Sequence, residues 1–147
     1  IDIEIRPHNR AAIEKHEMAR HINLVEGSST DQGVVQKVKD QVGRNETVLV
    51  ILDSNHTKGH VLAELEAYAP LVSKGSYIVA CDGIMGAVAG APRTDPDWTW
   101  DNPEQAAKEF TAMHPEFAIE EPEFPFNEGS VTERISYWPS AYIKRIG

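Results

Sequence analysis

The chain has one cysteine, few basic residues and no long apolar run among its 147 residues. Cys81 alone cannot form an internal disulfide, which fits the reducing environment of the cytoplasm. No stretch approaches the roughly 18 apolar residues of a membrane span, and no signal peptide is recognisable. The net charge of −9 disfavours nucleic acid as a partner, because binding to phosphates needs a basic surface. We therefore expect a cytoplasmic protein that binds neither membranes nor nucleic acid.

Glycine-rich nucleotide-binding motifs are also absent, since neither G-x-G-x-x-G nor a P-loop occurs. This counts against a complete nucleotide-binding protein, unless a glycine loop precedes Ile1. The chain begins at Ile1 without methionine, inside a strand-like alternation, so we expect that N-terminal sequence is missing. The length, with 41% hydrophobic and 25% charged residues, is that of one soluble globular domain over 1–147.

Strand-like and helix-like patterns alternate along the first half of the chain. Strands are predicted at about 1–5, 21–26, 47–52 and 76–81, and helices at 9–19, 31–43 and 61–72. Pro7 is expected to end the first strand, and Asp31 to cap the second helix. The run 47–52 is continuously apolar and β-branched, which is typical of a strand covered on both faces. This order predicts an α/β fold with a mostly parallel sheet and right-handed crossovers.

The pattern changes after Gly83. Residues 84–101 show no periodicity and are predicted to form a long loop, whose Trp98 and Trp100 either cover a pocket or anchor the loop. Asn102 followed by Pro103 indicates a helix start. The buried face of that helix is predicted to hold Ala106, Ala107, Phe110 and Met113. Antiparallel C-terminal strands are predicted at 117–121, 131–137 and 141–146.

Polar or acidic residues occur at every predicted strand end of the first half. In an open parallel sheet, ligands bind outside the carboxyl ends of the strands, so these residues are expected at one edge. The first strand contains Asp2 and Glu4. The later strands end at Glu26-Gly27-Ser28-Ser29, at Asp53-Ser54-Asn55-His56 and at Cys81-Asp82-Gly83.

Asp53 and Asp82 end strands that should be neighbours, about 4.8 Å apart. Two carboxylates so close repel each other unless a cation or a proton lies between them. Oxygen ligands favour a hard cation such as Mg²⁺ or Ca²⁺ over zinc. The alternative is that each acid caps the turn or helix that follows it.

The two histidines of this region, His56 and His60, are four residues apart. A zinc site would need a third strong ligand at a suitable spacing, and none is present. His56 is interpreted as a general base or a substrate contact, and His60 as a residue at a helix start. Cys81 is interpreted as a small packed side chain rather than a nucleophile.

Several segments together resemble the cephalosporin hydroxylase / rhamnosyl O-methyltransferase family. They are IDIEIRPHNRAAIEKH, LVEGSSTD, VLVILDSNHTKGHVLAELEAYAPLVSKGSYIV, DNPEQAAKEFTAMHPEF and AYIKRIG, and they span nearly the whole chain in order. The resemblance implies an S-adenosylmethionine-dependent methyltransferase with the Rossmann-like class I fold. The match starts at the family's second strand, so the chain looks like the family without its first strand and glycine-rich loop. Strands 1–5 and 47–52 should then pair directly, or another chain should fill the gap.

The resemblance also implies site residues. Asp2, with Glu4 as the alternative, corresponds to the acid that binds the ribose of the cofactor. Gly27, Ser28 and Ser29 resemble the segment beside the adenine, and Asp53 is expected to contact the cofactor as well. Metal ligands are implied at Asp53 and Asp82, with Mg²⁺ as the expected cation. Cys81 or Gly83 stands where some relatives have a further ligand.

The implied reaction is methyl transfer to a hydroxyl group of a sugar or another small metabolite, with His56 and Asp53 as catalytic residues. An iron site formed by His56, His60 and Asp53 would require His60 to turn inward. Two other hypotheses remain open, namely a non-catalytic remnant and a metal-dependent hydrolase that uses Asp53, Asp82 and His56. A homo-oligomer or a missing N-terminal segment is expected to complete the protein.

Overall fold

The computed structural model describes residues 1–121 and 136–147. These residues form two compact units, Ile1–Val42 and Gly43–Gly147. The single domain over 1–147 stays a prediction, as does the direct pairing of 1–5 with 47–52.

The first unit is mainly helical. Its elements are α1 (Pro7–Glu14), a 3₁₀ turn (Ala19–His21) and α2 (Gln32–Gln41). Pro7 begins α1 instead of ending a strand, because its missing N–H is no loss at the first helical position. The predicted strands 1–5 and 21–26 are wrong, since among the described residues they form only the parallel bridge between Asp2 and Glu26. Ile1 and Ile3 are exposed, so the apolar alternation does not mark a buried face.

Helix α2 forms as its sequence predicts. The side chain of Asp31 accepts hydrogen bonds from the N–H groups of Gly33 and Val34, at 2.9 and 3.1 Å. These bonds satisfy two of the donors that a helix start leaves without partners. Val34 and Val35 form the buried face of α2.

The second unit is a mixed α/β structure. Its strands are β1 (Val50–Leu52), β2 (Tyr77–Ala80), β3 (Phe117–Ile119) and β4 (Tyr142–Arg145). Its helices are α3 (Lys58–Tyr68), α4 (Met85–Val88) and α5 (Pro103–Met113), with 3₁₀ turns at Ala69–Leu71 and Pro96–Thr99. Helices α3 and α5 pack against each other. The core includes Leu65, Val72, Ile78, Phe110 and Ile143, all fully buried.

The four strands lie in the order β1-β2-β4-β3. Strands β1 and β2 are parallel, with Val50 opposite Ile78, as predicted. Strand β4 is antiparallel to both of its neighbours, which confirms the antiparallel C-terminal addition. The expectation of a mostly parallel sheet is wrong for the described residues, because one of the three strand pairs is parallel.

Strand β1 is shorter and less covered than its apolar sequence predicts. Leu52 is buried, whereas Leu49 and Ile51 are 54% and 59% exposed. Burial on both faces is therefore wrong, and Val50 is only partly buried. Val50 and Leu52 lie on one face of β1, which is the covered face, and Ile51 lies on the opposite face.

The segment 84–101 is not a structureless loop, since it contains α4 and the 3₁₀ turn Pro96–Thr99. Asn102 caps α5 as predicted, but Met113 is 53% exposed and does not belong to the buried face. Most of the predicted strand 131–137 lies outside the described residues, and Ser136 and Tyr137 are not in a strand. None of the helices in 1–121 and 136–147 has the length and apolar composition needed to cross a bilayer.

Candidate metal centre

Two acidic loops meet beside the parallel strands β1 and β2. Asp53 directly follows β1, and Asp82 follows β2 after Cys81. Ligand atoms of Asp53, His56 and Asp82 all lie within 4.8 Å of one another. The prediction that these carboxylates converge is confirmed, because parallel pairing brings both strand ends to the same edge. Their role as metal ligands stays a prediction.

The imidazole of His56 lies between the two carboxylates. Its Nε2 is 3.3 Å from Oδ1 of Asp53 and 3.7 Å from Oδ2 of Asp82. The side chains of Asp53 and Asp82 are 63% and 44% exposed, so water and small ligands can reach the cluster. A positive charge among the three groups, on the imidazole or on a bound cation, would offset the repulsion between the acids.

The backbone of Asp82 has an uncommon conformation. Its φ is 60°, in the left-handed region that few residues other than glycine adopt, although aspartate is among those that tolerate it. One carboxylate oxygen, Oδ1, accepts a hydrogen bond from the indole Nε1 of Trp138 at 3.1 Å. Local strain and a long-range hydrogen bond thus coincide at the candidate ligand.

The loop between β1 and α3 is fixed by polar contacts at both ends. Ser54 donates to the buried carboxylate of Glu64 at 2.7 Å. Asn55 Oδ1 accepts from the N–H of Thr57 at 3.0 Å, which forms an Asx turn. The N–H of Lys58 donates to Asp101 Oδ1 at 2.6 Å, so a distant acid caps the start of α3. The positions of Asp53 and His56 therefore depend on residues that follow later in the chain.

The thiol of Cys81 is buried beside this cluster. Burial, followed by the nearby charges of Asp53 and Asp82, raises the pKa of Cys81 to about 11. The side chain is therefore a neutral thiol near neutral pH, and a neutral thiol is a poor nucleophile. This agrees with the interpretation of Cys81 as a packed residue.

The imidazole of His60 lies beside an acid of its own helix. Its Nε2 is 3.5 Å from Oε1 of Glu64, one helical turn along α3, and His60 is not among the three convergent groups. An iron site formed by His56, His60 and Asp53 is therefore not supported by this arrangement. Helix geometry explains the contact between His60 and Glu64, since residues i and i+4 lie on the same face of a helix.

The residues predicted to bind the cofactor, other than Asp53, lie in the first unit. The N–H of Gly27 donates to the backbone oxygen of Asp2 at 2.9 Å, and the N–H of Glu4 donates to Asp2 Oδ1 at 3.1 Å. Ser28 and Thr30 share a hydroxyl hydrogen bond of 3.1 Å, and Ser29 lies between them. Asp2, Glu4 and the Gly27–Ser29 turn are thus brought close together. Their role in binding a cofactor stays a prediction.

Gly27 occupies a position that only glycine fits. Its φ is +142°, and a Cβ placed there would lie 2.7 Å from Cγ2 of Val34. The turn after Glu26 can therefore approach the start of α2 closely because its residue has no side chain.

A separate cleft of about 450 Å³ lies in the first unit. Its lining residues are Arg10, Glu14, Ile22, Asn23, Leu24 and Gln41. None of the predicted cofactor residues lines this cleft, so it gives no support to their assignment.

Three residues that shape the candidate centre were missed at the sequence level. Trp138 and Asp101 act through contacts over 56 and 43 positions of sequence, which no local pattern reveals. Glu64 had a local signal, since it lies between Val61 and Leu65 on the apolar stripe of α3. An acid in that position indicates a buried carboxylate with a specific partner.

A model of the family described as Rhamnosyl O-methyltransferase/CmcI matches residues 1–146. Two similar curated proteins are rhamnosyl O-methyltransferases, from Mycobacterium bovis (strain BCG / Pasteur 1173P2) and Mycobacterium tuberculosis (strain ATCC 25177 / H37Ra). Each is 43% identical over 62 residues, a stretch that covers 40% of this chain and 24% of the relative. The match thus spans about a quarter of the length of these relatives. No solved structure matches the chain.

Proposed function

Because the chain belongs to the Rhamnosyl O-methyltransferase/CmcI family, we propose that it methylates a hydroxyl group of a sugar, using S-adenosylmethionine as the methyl donor. The family match over residues 1–146 is the observation on which this proposal rests. The similar mycobacterial proteins are rhamnosyl O-methyltransferases, which favours a deoxysugar such as rhamnose as the acceptor.

The first unit offers groups for the methyl donor. The exposed carboxylate of Asp2 is suited to accept hydrogen bonds from ribose hydroxyls, with Glu4 beside it. Gly27, Ser28 and Ser29 form the adjoining turn, expected beside the adenine. When bound, S-adenosylmethionine supplies an electrophilic methyl group on its sulfur. Asp53, the remaining predicted contact, belongs to the second unit.

The chemistry of the second unit fits a hard divalent cation. Asp53 and Asp82 supply carboxylate oxygens and His56 supplies an imidazole nitrogen, all within 4.8 Å of one another. Such a donor set suits Mg²⁺ or Mn²⁺. A bound cation would lower the pKa of an acceptor hydroxyl. Among the described residues these are the three groups that converge, so the protein ligands would be drawn from them.

His56 is the residue proposed to take the proton of the acceptor hydroxyl. Its Nε2 is 3.3 Å from Oδ1 of Asp53, so the carboxylate can orient the ring. A bound cation would compete for the same Nε2, so His56 acts either as a ligand or as a base. Asp53 would bind the cation in the first case and orient the imidazole in the second.

The test is transfer of an isotope-labelled methyl group from S-adenosylmethionine to a rhamnoside, with Mg²⁺ present. Labelled rhamnoside would support the proposal, and calorimetry with each ligand alone would assign the binding steps. No heat with millimolar S-adenosylmethionine or Mg²⁺ would instead identify a non-catalytic remnant. Cleavage of p-nitrophenyl phosphate without S-adenosylmethionine would favour a metal-dependent hydrolase.

A further inference from the structure

We infer that Trp138 is a positioning residue that holds the carboxylate of Asp82 in place for a divalent cation. The indole N–H fixes one oxygen of the carboxylate, so that the other faces the cluster with Asp53 and His56. This inference rests on the proposed function, because it assigns a role in the metal centre of that function.

The two oxygens of Asp82 have different partners. Oδ1 accepts the hydrogen bond from Trp138 Nε1 at 3.1 Å, and Oδ2 lies 3.7 Å from Nε2 of His56. An indole N–H can only donate, so it binds a carboxylate and does not compete for a cation. Hydrogen bonds to an ionised acceptor are also stronger than those between neutral groups. The bond from Trp138 therefore leaves Oδ2 as the oxygen directed to the cluster.

The indole is itself held in place by its surroundings. Trp138 packs against a buried cluster of Val79, Cys81 and Ala141. Its ring also lies beside that of Tyr142, with centroids 6.4 Å apart and an angle of 51° between the planes. A ring fixed by packing on several sides orients its N–H more strictly than an exposed ring would.

The main chain next to Trp138 lies against the loop of Asp82. Tyr137 O accepts a hydrogen bond from the N–H of Ile84 at 3.1 Å. A Cβ on Gly83 would lie only 2.6 Å from the backbone oxygen of Pro139, so the two segments touch. Asp82, whose φ is 60°, is thus held through its side chain and through the residues that follow it. The long-range contact supports a backbone conformation that is unfavourable in isolation.

Removing the indole N–H should weaken cation binding without removing a ligand. Partners that orient metal ligands typically change metal affinity by about 10- to 100-fold when they are lost. We therefore expect Trp138→Phe to raise the Kd for Mn²⁺ by about 10-fold or more. Phenylalanine keeps an aromatic ring at this position and removes the donor.

The experiment measures free Mn²⁺ by electron paramagnetic resonance during titration of the full chain. Trp100→Phe is the matched control, because the indole of Trp100 also donates to an aspartate, Oδ1 of Asp97 at 3.3 Å, outside the cluster. A weakened Kd in Trp138→Phe and an unchanged Kd in Trp100→Phe support the inference. If Trp138→Phe and the unmutated chain bind Mn²⁺ with the same Kd, the inference about Trp138 is overturned. The metal centre of the proposed function then still stands. No Mn²⁺ binding by the unmutated chain overturns the metal centre of the proposed function as well.

A second measurement keeps the inference testable if Trp138→Phe fails to fold. The chain has three tryptophans, so Trp98→Phe/Trp100→Phe leaves Trp138 as the single indole fluorophore. Paramagnetic Mn²⁺ bound next to Asp82 should quench this fluorescence with the Kd found by resonance. Fluorescence that does not change while Mn²⁺ binds would overturn the inference, because Trp138 would then lie away from the bound ion.

Discussion

The hydroxyl of Ser54 donates to Glu64 at 2.7 Å and joins the loop after β1 to a carboxylate that is 2% exposed. Among the described residues, Oε2 of Glu64 has no hydrogen-bond partner. Burying a carboxyl group with one oxygen unsatisfied is costly, so this acid is a locally unfavourable choice even with Nε2 of His60 3.5 Å from its Oε1. We interpret Glu64 as a residue that fixes the Asp53 loop.

Substitutions at Glu64 should separate its charge from its hydrogen bond. Glu64→Gln keeps an acceptor for Ser54 and removes the charge, so the free energy of unfolding should be unchanged or higher. Glu64→Ala should lower it by about 1–3 kcal/mol, because the hydroxyl of Ser54 loses its acceptor. Urea denaturation measures both values. Equal losses in the two variants would show that the charge itself stabilises the fold.

Asp53→Asn should abolish the binding of Mn²⁺ and leave the fold intact, since the side chain is exposed at the end of β1. An amide oxygen carries no net charge, so it holds a divalent cation much less firmly than a carboxylate does. Asp40→Asn is the control, because Asp40 is an exposed acid on α2 that accepts a hydrogen bond from Gln36. Titration with Mn²⁺ tests the loss of binding, and circular dichroism tests whether the fold is intact. Unchanged affinity in Asp53→Asn would remove Asp53 from the ligand set.

Gly83→Ala should destabilise the protein, because the new Cβ would lie 2.6 Å from the backbone oxygen of Pro139. Overpacking of this kind costs about 1–3 kcal/mol. Gly59→Ala is the opposite case, since a Cβ on Gly59 meets no atom within 4 Å. It should stabilise the protein by about 0.4–1 kcal/mol, because alanine restricts the unfolded chain. Thermal unfolding of both variants provides the comparison, and a stable Gly83→Ala protein would contradict the close contact.

The free energy of unfolding should fall as the pH rises from about 6 to about 8, through deprotonation of His114. The hydrogen bond to Glu66, at 2.9 Å, raises the pKa of His114 above its ordinary value of 6.5. A raised pKa in the folded state means that the protonated ring stabilises the fold in full below pH 6.5. This contribution is lost as the pH rises through the folded-state pKa.

Glu66→Gln is the variant that isolates this effect. Glutamine can still accept a hydrogen bond but does not attract the imidazolium, so the fall in stability between the two pH values should be smaller. Denaturant unfolding at each pH gives the result. An equal fall in both proteins would assign the pH dependence to Glu116, whose Oε1 lies 3.4 Å from Nδ1 of His114, or to other histidines.

Ile51→Ala and Ile78→Ala should differ greatly in their effect on stability. Ile78 is fully buried, so its truncation should cost about 2–5 kcal/mol. Ile51 is 59% exposed, and substitutions at exposed positions usually change stability by less than about 0.5 kcal/mol. Both residues lie in adjacent parallel strands, so the pair tests burial and not strand propensity. A large loss from Ile51→Ala would show that this face of β1 is covered in solution.

Local signals were sufficient where the chemistry is local. Asp31 and Asn102 were identified as helix caps because a cap binds N–H groups two or three residues away. The parallel neighbours β1 and β2 followed from two apolar runs separated by a helix, and their pairing explains why Asp53 and Asp82 converge. Local pattern thus predicted the arrangement of the central acids.

The sequence was misleading where a pattern needs a distant partner to become structure. The alternation IDIEI suggests a strand, but a strand forms only where another segment pairs with it along its length, and here Asp2 alone is bridged. Trp138 contacts Asp82 across 56 positions of sequence, and Asp101 contacts the start of α3 across 43 positions, so both contacts form only when the second unit folds. No spacing rule links them to Asp82 or to the start of α3.

The cap of α5 couples two segments that would otherwise open independently. Asn102 is fully buried; its amide donates to the backbone oxygen of Trp98 at 2.7 Å, and its oxygen accepts from the N–H of Gln105 at 3.0 Å. Opening of the segment 84–101 would break the bond from Asn102 to Trp98 and weaken the bond from Gln105 to Asn102. In hydrogen–deuterium exchange, the amide of Gln105 should therefore exchange together with those around Trp98, as a single cooperative unit.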